Sequence, residues 1–384
     1  MTRSKEVRWV RIREFIVVSD ETNKLNFNLP VMGLNKDKQM MPTVANLDGV
    51  NLSKYKVVGN GTFVFSGMQT GRDVCIRIVL ATNPDPVLVS PAYTTFVLNP
   101  EKGLISEYLF LWFDRKESDR YGWFISDSSV RSNLDWPRFL DIKIPVPFKD
   151  GEPDVERQRE VVDVWQGLRR LKEENDALAT PLLELCQAKM DELKHTAPMV
   201  TLGQYIEQTN IPNYSYGLSK ELVMGMTITK EVIPTKAKIK DTDISKFKVV
   251  FPEEFIYNPR THGAKIGLGM NDSNDPFLIS WNNTSFKVMD KNEFNPTFLY
   301  IWFCRPEWDR EACFRSWGSS TEVFAWKEFV TMKVPKPSIE IQRAIVDIYH
   351  CARQAKQIAE EASQQLKTIC PALMQHIIHS DDVR

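Results

Sequence analysis

Catalysis needs reactive side chains brought together, so the residues that could do chemistry come first. Asp85, Asp141 and Lys143 make an acidic pair with a lysine, the set a nuclease-type reaction uses. Methyl transfer to an exocyclic amine would use an Asn/Asp-Pro-Pro-aromatic loop. The sequence offers Asn83-Pro84-Asp85-Pro86, Asn99-Pro100-Glu101, Asn258-Pro259-Arg260 and Asn295-Pro296-Thr297, none of that shape. GxGxxG, Walker A and GxSxG patterns are absent. His376 and His379 could share a helix face, but no acidic or cysteine ligand follows at a suitable offset. The six cysteines show no CxxC spacing, which points to a reducing cytoplasm and not to a disulfide framework. These residues predict a non-catalytic chain that binds no metal or cofactor of its own.

The elements that would position any site come in duplicate. Val31-Met32-Gly33 recurs as Val223-Met224-Gly225, and Ser53 to Val58 recurs as Ser245 to Val250. Residues 31–58 and 223–250 share 12 identities in 28 positions at offset 192. At offset 190, Trp112, Asp119, Trp136 and Phe139 match Trp302, Asp309, Trp326 and Phe329. At offset 184, Glu156-Arg157-Gln158-Arg159 matches Glu340-Ile341-Gln342-Arg343. The offsets run in order along one alignment, so the chain is an internal repeat. The candidate acid Asp141 has Thr331 as its counterpart, which weakens the nuclease reading.

Each copy starts with a mixed region of about 140 residues. Arg11 to Val18, Lys56 to Phe65 and Val74 to Ala81 read as strands. Helical patterns cover Ser106 to Trp123 and Pro296 to Phe314, the second split by Pro306. Each copy then ends in a long helix. Val161, Trp165, Leu168, Leu171, Leu178, Leu182 and Leu185 form one apolar seam. Ile345, Ile348, Ala352, Ala355, Ile358, Ala362, Leu366 and Ile369 form the other. Pro181 and Pro371 predict breaks or kinks. The expected fold is α+β: two similar globular domains separated by a long antiparallel helical coiled-coil pair, with an internal pseudo-two-fold repeat. The expected boundaries are 1–150, 151–195, 196–337 and 338–384.

Composition sets limits. With 49 Lys+Arg against 50 Asp+Glu the net charge is −1, which argues against a uniformly basic nucleic-acid binder. The charge is unevenly spread. Residues 154–195 carry 7 basic and 10 acidic side chains, and 340–384 carry 5 and 6, which leaves the globular parts at +3. No signal-like apolar core follows the N-terminus and no run approaches the roughly 20 apolar residues of a spanning helix, so no membrane role is expected.

The pattern resembles the DNA-specificity subunit, HsdS, of type I restriction–modification systems. The resemblance covers nearly the whole chain. It rests on the duplicated halves, the run-ins Ile144-Pro145-Val146-Pro147 and Val334-Pro335-Lys336-Pro337, the matched helix starts at Glu156 and Glu340, and the long helices after them. One departure is the insertion Phe148 to Pro153, which leaves the start of the first helix open. The resemblance implies two target-recognition domains, each reading one half of a split site in double-stranded DNA. It implies that the helices set the half-site spacing and dock two HsdM methyltransferase subunits, and that HsdR restriction subunits join the complex. S-adenosylmethionine would then sit on HsdM, and ATP and Mg on HsdR.

Base reading needs Arg or Lys for guanine and Asn or Gln for adenine. Matching strands at Phe63-Val64-Phe65 and Phe255-Ile256-Tyr257 are followed by loops that diverge, as two readers of different half-sites would. Gln69, Arg72, Asn258, Arg260, His262 and Lys265 are the candidate contacts there. Arg131 and the stretch 319–321 occupy a second pair of matching loops. Lys36, Lys38 and Lys230 are candidate phosphate contacts. So are Lys54, Lys56, Lys246 and Lys248, which alternate as if along one strand face. Trp112, Trp136, Trp302 and Trp326 are expected in the core. Val161, Trp165, Leu168, Ile345 and Ile348 are the candidate partner-docking residues. The competing reading is a two-headed protein-binding scaffold with no DNA role.

Overall fold

The computed structural model describes residues 5–127, 132–260, 265–317 and 322–379. The chain divides into two compact units. The first is Met1–Glu174 with Ile358–Arg384, and the second is Asn175–Gln357. Each therefore holds one globular head and part of both long helices.

In the first head, Lys5–Arg11 pairs antiparallel with Lys143–Lys149 along its full length. A four-stranded sheet follows, ordered Ile16–Val18, Thr94–Leu98, Phe63–Ser66, Arg77–Leu80. The second head repeats this plan. Met199–Thr201 pairs with Lys333–Pro335, and the sheet runs Ile206–Thr209, Thr284–Val288, Phe255–Tyr257, Leu268–Met270. The cores repeat ring for ring. Phe63 stacks on Phe96 at 4.8 Å, as Phe255 does on Phe286. Trp136 stacks on Phe139 and Trp326 on Phe329. Trp112 and Trp302 are buried.

The predicted Ser106–Trp123 helix is two helices, Ser106–Phe113 and Lys116–Ile125, and its counterpart is Pro296–Phe303 and Pro306–Phe314. The break falls at the same place in both copies, so Pro306 marks it without being its cause. The insertion Phe148–Pro153 forms a hairpin at the strand end. Asp150 and Gly151 both have positive φ, as a tight two-residue hairpin turn requires.

The long helices run Val155–Thr196 and Ile339–His379. Both helices run unbroken through Pro181 and Pro371, so the expected breaks do not occur. The repeated helix-start glutamine locks each helix to its head. Gln158 is fully buried, accepts from the Ile105 amide at 2.9 Å and donates to the Gly103 carbonyl at 2.9 Å. Gln342 does the same with Asn295 and Glu293, at 2.8 and 2.9 Å.

The second predicted seam is buried at Ile345, Ala352, Ala355 and Ala362, while the first departs from its prediction. In the second unit the buried helix residues include Ala179, Cys186, Met190, Leu193, Ala352 and Ala355, and in the first Ala359, Ala362, Met374 and Ile377. Small side chains let helix backbones approach closely, so the alanines take the inner face. Leu171, Leu178 and Leu185, predicted in the seam, are exposed instead.

Candidate nucleic-acid interface

In the first head the strand Phe63–Ser66 delivers the chain to a loop that closes as one helical turn, Thr70–Asp73. Gln69 and Val74 flank that turn in the left-handed region. For a β-branched residue such as Val74 this conformation is strained, a condition that gathers at functional loops. The second predicted loop lies alongside. Gly71 donates to the Ser132 carbonyl at 2.8 Å, and Leu134 to that of Gly67 at 2.8 Å. The Asn133 side chain accepts from the Gln69 amide at 2.9 Å.

This arrangement gathers three predicted residues round one acid. Arg72 Nε donates to Asp73 at 3.1 Å, and Arg72 Nη2 to the Gln69 side-chain oxygen at 2.7 Å. Lys36 Nζ reaches Asp73 at 3.5 Å, and Arg77 also pairs with it. Burial pushes the Asp73 carboxyl up. The hydrogen bonds and charges of Arg72 and Arg77 outweigh that and hold it below its ordinary value. Three cations against one carboxylate leave a local positive excess facing solvent through Lys36 and Arg72.

The second head uses the same frame with a different loop. The Asn258 side chain accepts from the Arg260 amide at 3.0 Å, an Asx turn. Arg260 bridges to Val323, and Phe324 donates to the Pro259 carbonyl at 2.7 Å, so the two matching loops meet here too. Arg260 and Lys265 are exposed. His262, Arg131 and the stretch 319–321 lie outside the described residues.

Several predicted contacts are placed otherwise. Lys38 is 5% exposed and its ammonium is bound by Asp119 at 2.8 Å, while Lys230 is 4% exposed and paired with Asp309. Their charges are spent inside the fold, so neither is a surface phosphate contact. Lys54 ends a short 3-10 turn while Lys56 begins a strand, so the two do not share a strand face. Lys56 pairs with Asp20 at 2.7 Å, and Lys248 donates to the Asn283 carbonyl at 2.7 Å. Lys54 and Lys246 are exposed. Among the docking candidates, Val161 and Trp165 are buried in the first unit's core and Ile345 in the second's, because they pack the helices onto the heads. Leu168 and Ile348 are half-buried. Asp141, the nuclease candidate, is held by Arg13 at 2.7 Å and by Arg11 at 3.4 Å.

Sequence reasoning missed a matched pair of exposed aromatics. Phe124 is 76% exposed at the end of Lys116–Ile125, and Phe314 is 86% exposed at the end of Pro306–Phe314. They stand at offset 190, beside the paired loops, with Trp123 and Trp317 also exposed. The signal was present as an aromatic identity in the alignment, but alignment does not report burial. Among the described residues no group of His, Cys, Asp and Glu could hold a metal, and no helix is long and apolar enough to cross a membrane.

Neither a family model nor a curated protein matches the chain. Solved structures do. The type I restriction–modification S subunit from M. genitalium matches at a TM-score of 0.57 and 15% identity, over 98% of this chain and 96% of that one. The HsdS subunit from Thermoanaerobacter tengcongensis matches at a TM-score of 0.39 and 16% identity, over 98% and 97%. A third structure, described as showing complex assembly and conformational transition of the type I R-M system, matches at a TM-score of 0.39 and 15% identity. With its two like heads and paired long helices, this chain has the fold of a type I restriction–modification S subunit.

Proposed function

We propose that this chain is the DNA sequence-specificity subunit of a type I restriction–modification enzyme. Each head reads one half of a bipartite duplex site, and the long helices set the spacing between the halves. The observation that carries the reading is the pairing of a repeated frame with unlike loops. The rings and strand orders match between heads, while the loops differ, with Gln69, Arg72 and Lys36 in one head and Asn258, Arg260 and Lys265 in the other. A common scaffold with different polar tips suits two readers of different base pairs. The exposed Phe124 and Phe314 would stack on or wedge between bases next to those tips.

The chain chooses the site and lends no chemistry. Two methyltransferase subunits would dock on the helices, and restriction subunits would join them, in the cytoplasm. Exposed apolar helix residues support the docking role better than the buried ones named from sequence. Val164 and Leu171 in the first unit, and Leu178 and Leu185 in the second, are exposed and spaced by seven along the first long helix.

The test is half-site selectivity. Arg72→Ala should weaken binding by about 1–3 kcal/mol and relax the preference at one half-site only. Arg260→Ala should do so at the other half-site. Equal effects of both variants on both half-sites, or none, would refute the two-reader assignment.

A further inference from the structure

The first unit holds a cavity of about 570 Å³ walled by Trp9, Trp112 and Tyr121, by Arg115 and Lys143, and by the acids Glu117 and Asp141, the latter already paired with Arg13 and Arg11. Arg115 is 8% exposed and lies 3.9 Å over the Trp112 ring. Its Nη1 is buried with no hydrogen-bond partner. The neighbouring acid, Glu117, is held by Arg120 at 2.6 and 2.9 Å. A buried guanidinium is costly unless an anion meets it.

The second unit shows which anion. Arg305, the counterpart of Arg115, lies 4.3 Å over Trp302 and is paired with Asp191 of the first long helix, with Glu307 at 3.3 Å. Along the second long helix the register is fixed by two buried pairs: Met374 answers Met190, and Ile377 answers Leu193. At that register (offset 184) Gln375, a neutral amide, corresponds to Asp191. The first copy keeps the arginine, its ring and Glu117, the counterpart of Glu307, but has no acid at the register position of Asp191.

We propose that this cavity binds a carboxylate carried on an apolar body. The carboxylate pairs with Arg115, and the body lies against Trp9, Trp112 and Tyr121. Two sources supply that chemistry: an acidic side chain of a protein partner, or a free aromatic carboxylate. The inference does not depend on DNA reading.

Benzoate is the probe, titrated by calorimetry into the purified chain. Saturable one-to-one binding is expected. Arg115→Met should weaken it about tenfold or more, the loss of one charge-assisted pair. Gln375→Asp, which restores the acid in the same chain, should weaken it likewise and raise the melting temperature. This second variant keeps the proposal testable if Arg115→Met fails to fold. Co-purification with the methyltransferase subunits separates the sources. Its loss in Arg115→Met and Gln375→Asp points to a partner carboxylate, and its retention to a free one. Absence of saturable benzoate binding, or binding unchanged in both variants, overturns the proposal.

Discussion

The ammonium of Lys38 lies 2.8 Å from both carboxylate oxygens of Asp119, 81 residues further along the chain. Asp119 also accepts from the Ile76 amide at 2.9 Å, so one ion pair ties a hairpin turn, a strand entry and a helix. Lys230, Asp309 and the Ile266 amide repeat the device in the second head, where Lys230 also donates to the Ile266 carbonyl at 2.7 Å. Both lysines have positive φ. The turn folds each side chain inward, where a sequence reading sends a lysine outward.

Removing one partner of such a buried pair is severe. Lys38→Met should destabilise the chain by about 3–5 kcal/mol, because the largely buried Asp119 carboxylate loses its counter-charge and keeps only the Ile76 amide. Adding Asp119→Leu should recover most of the loss. Denaturant unfolding of the single and double variants checks this. A single variant as stable as wild type would return Lys38 to the surface.

The glutamine locks make a second prediction. Gln158→Ala strands the Ile105 amide and the Gly103 carbonyl, at about 1–3 kcal/mol for each unsatisfied group. Hydrogen exchange at Ile105 should accelerate. Gln342→Ala should do the same at Asn295 in the other unit.

These two networks separate what the sequence carries on its face from what only the fold brings about. The duplication, the aromatic core and the helix-start motif were legible, since Trp136 with Phe139 and Trp326 with Phe329 keep both type and spacing. Burial was not. Lys38 looks like any loop lysine until Asp119 arrives from elsewhere in the chain. The seam of the first long helix misled for a related reason, while that of the second was legible. Periodicity marks Leu178 and Ala179 equally well, and close packing of backbones chose the alanine.

That choice separates two helix faces experimentally. Ala355→Leu inserts bulk into a closed seam and should cost about 1–3 kcal/mol. Leu178→Arg, on an exposed position, should leave stability unchanged within about 0.5 kcal/mol. It should nevertheless lower affinity for the methyltransferase subunits about tenfold or more, as loss of an interface anchor does. Intact assembly by Leu178→Arg would move the docking face elsewhere.

Asp73 gives a pH dependence. Its carboxyl is held below its unfolded value, so it contributes stability that is present above about pH 4 and lost as pH falls through the lowered folded value. Asp73→Asn should flatten this part of the acid limb of the stability profile. It should also free Arg72 from its anchor, and DNA selectivity at that half-site should fall with it.

The most direct measurement is selection from a random duplex library by the chain assembled with its methyltransferase subunits. The account predicts one enriched motif made of two short specific blocks separated by a gap of fixed length. Arg72→Ala should blur one block and Arg260→Ala the other. Enrichment of a single contiguous motif, of two blocks at variable spacing, or of no motif at all would contradict it.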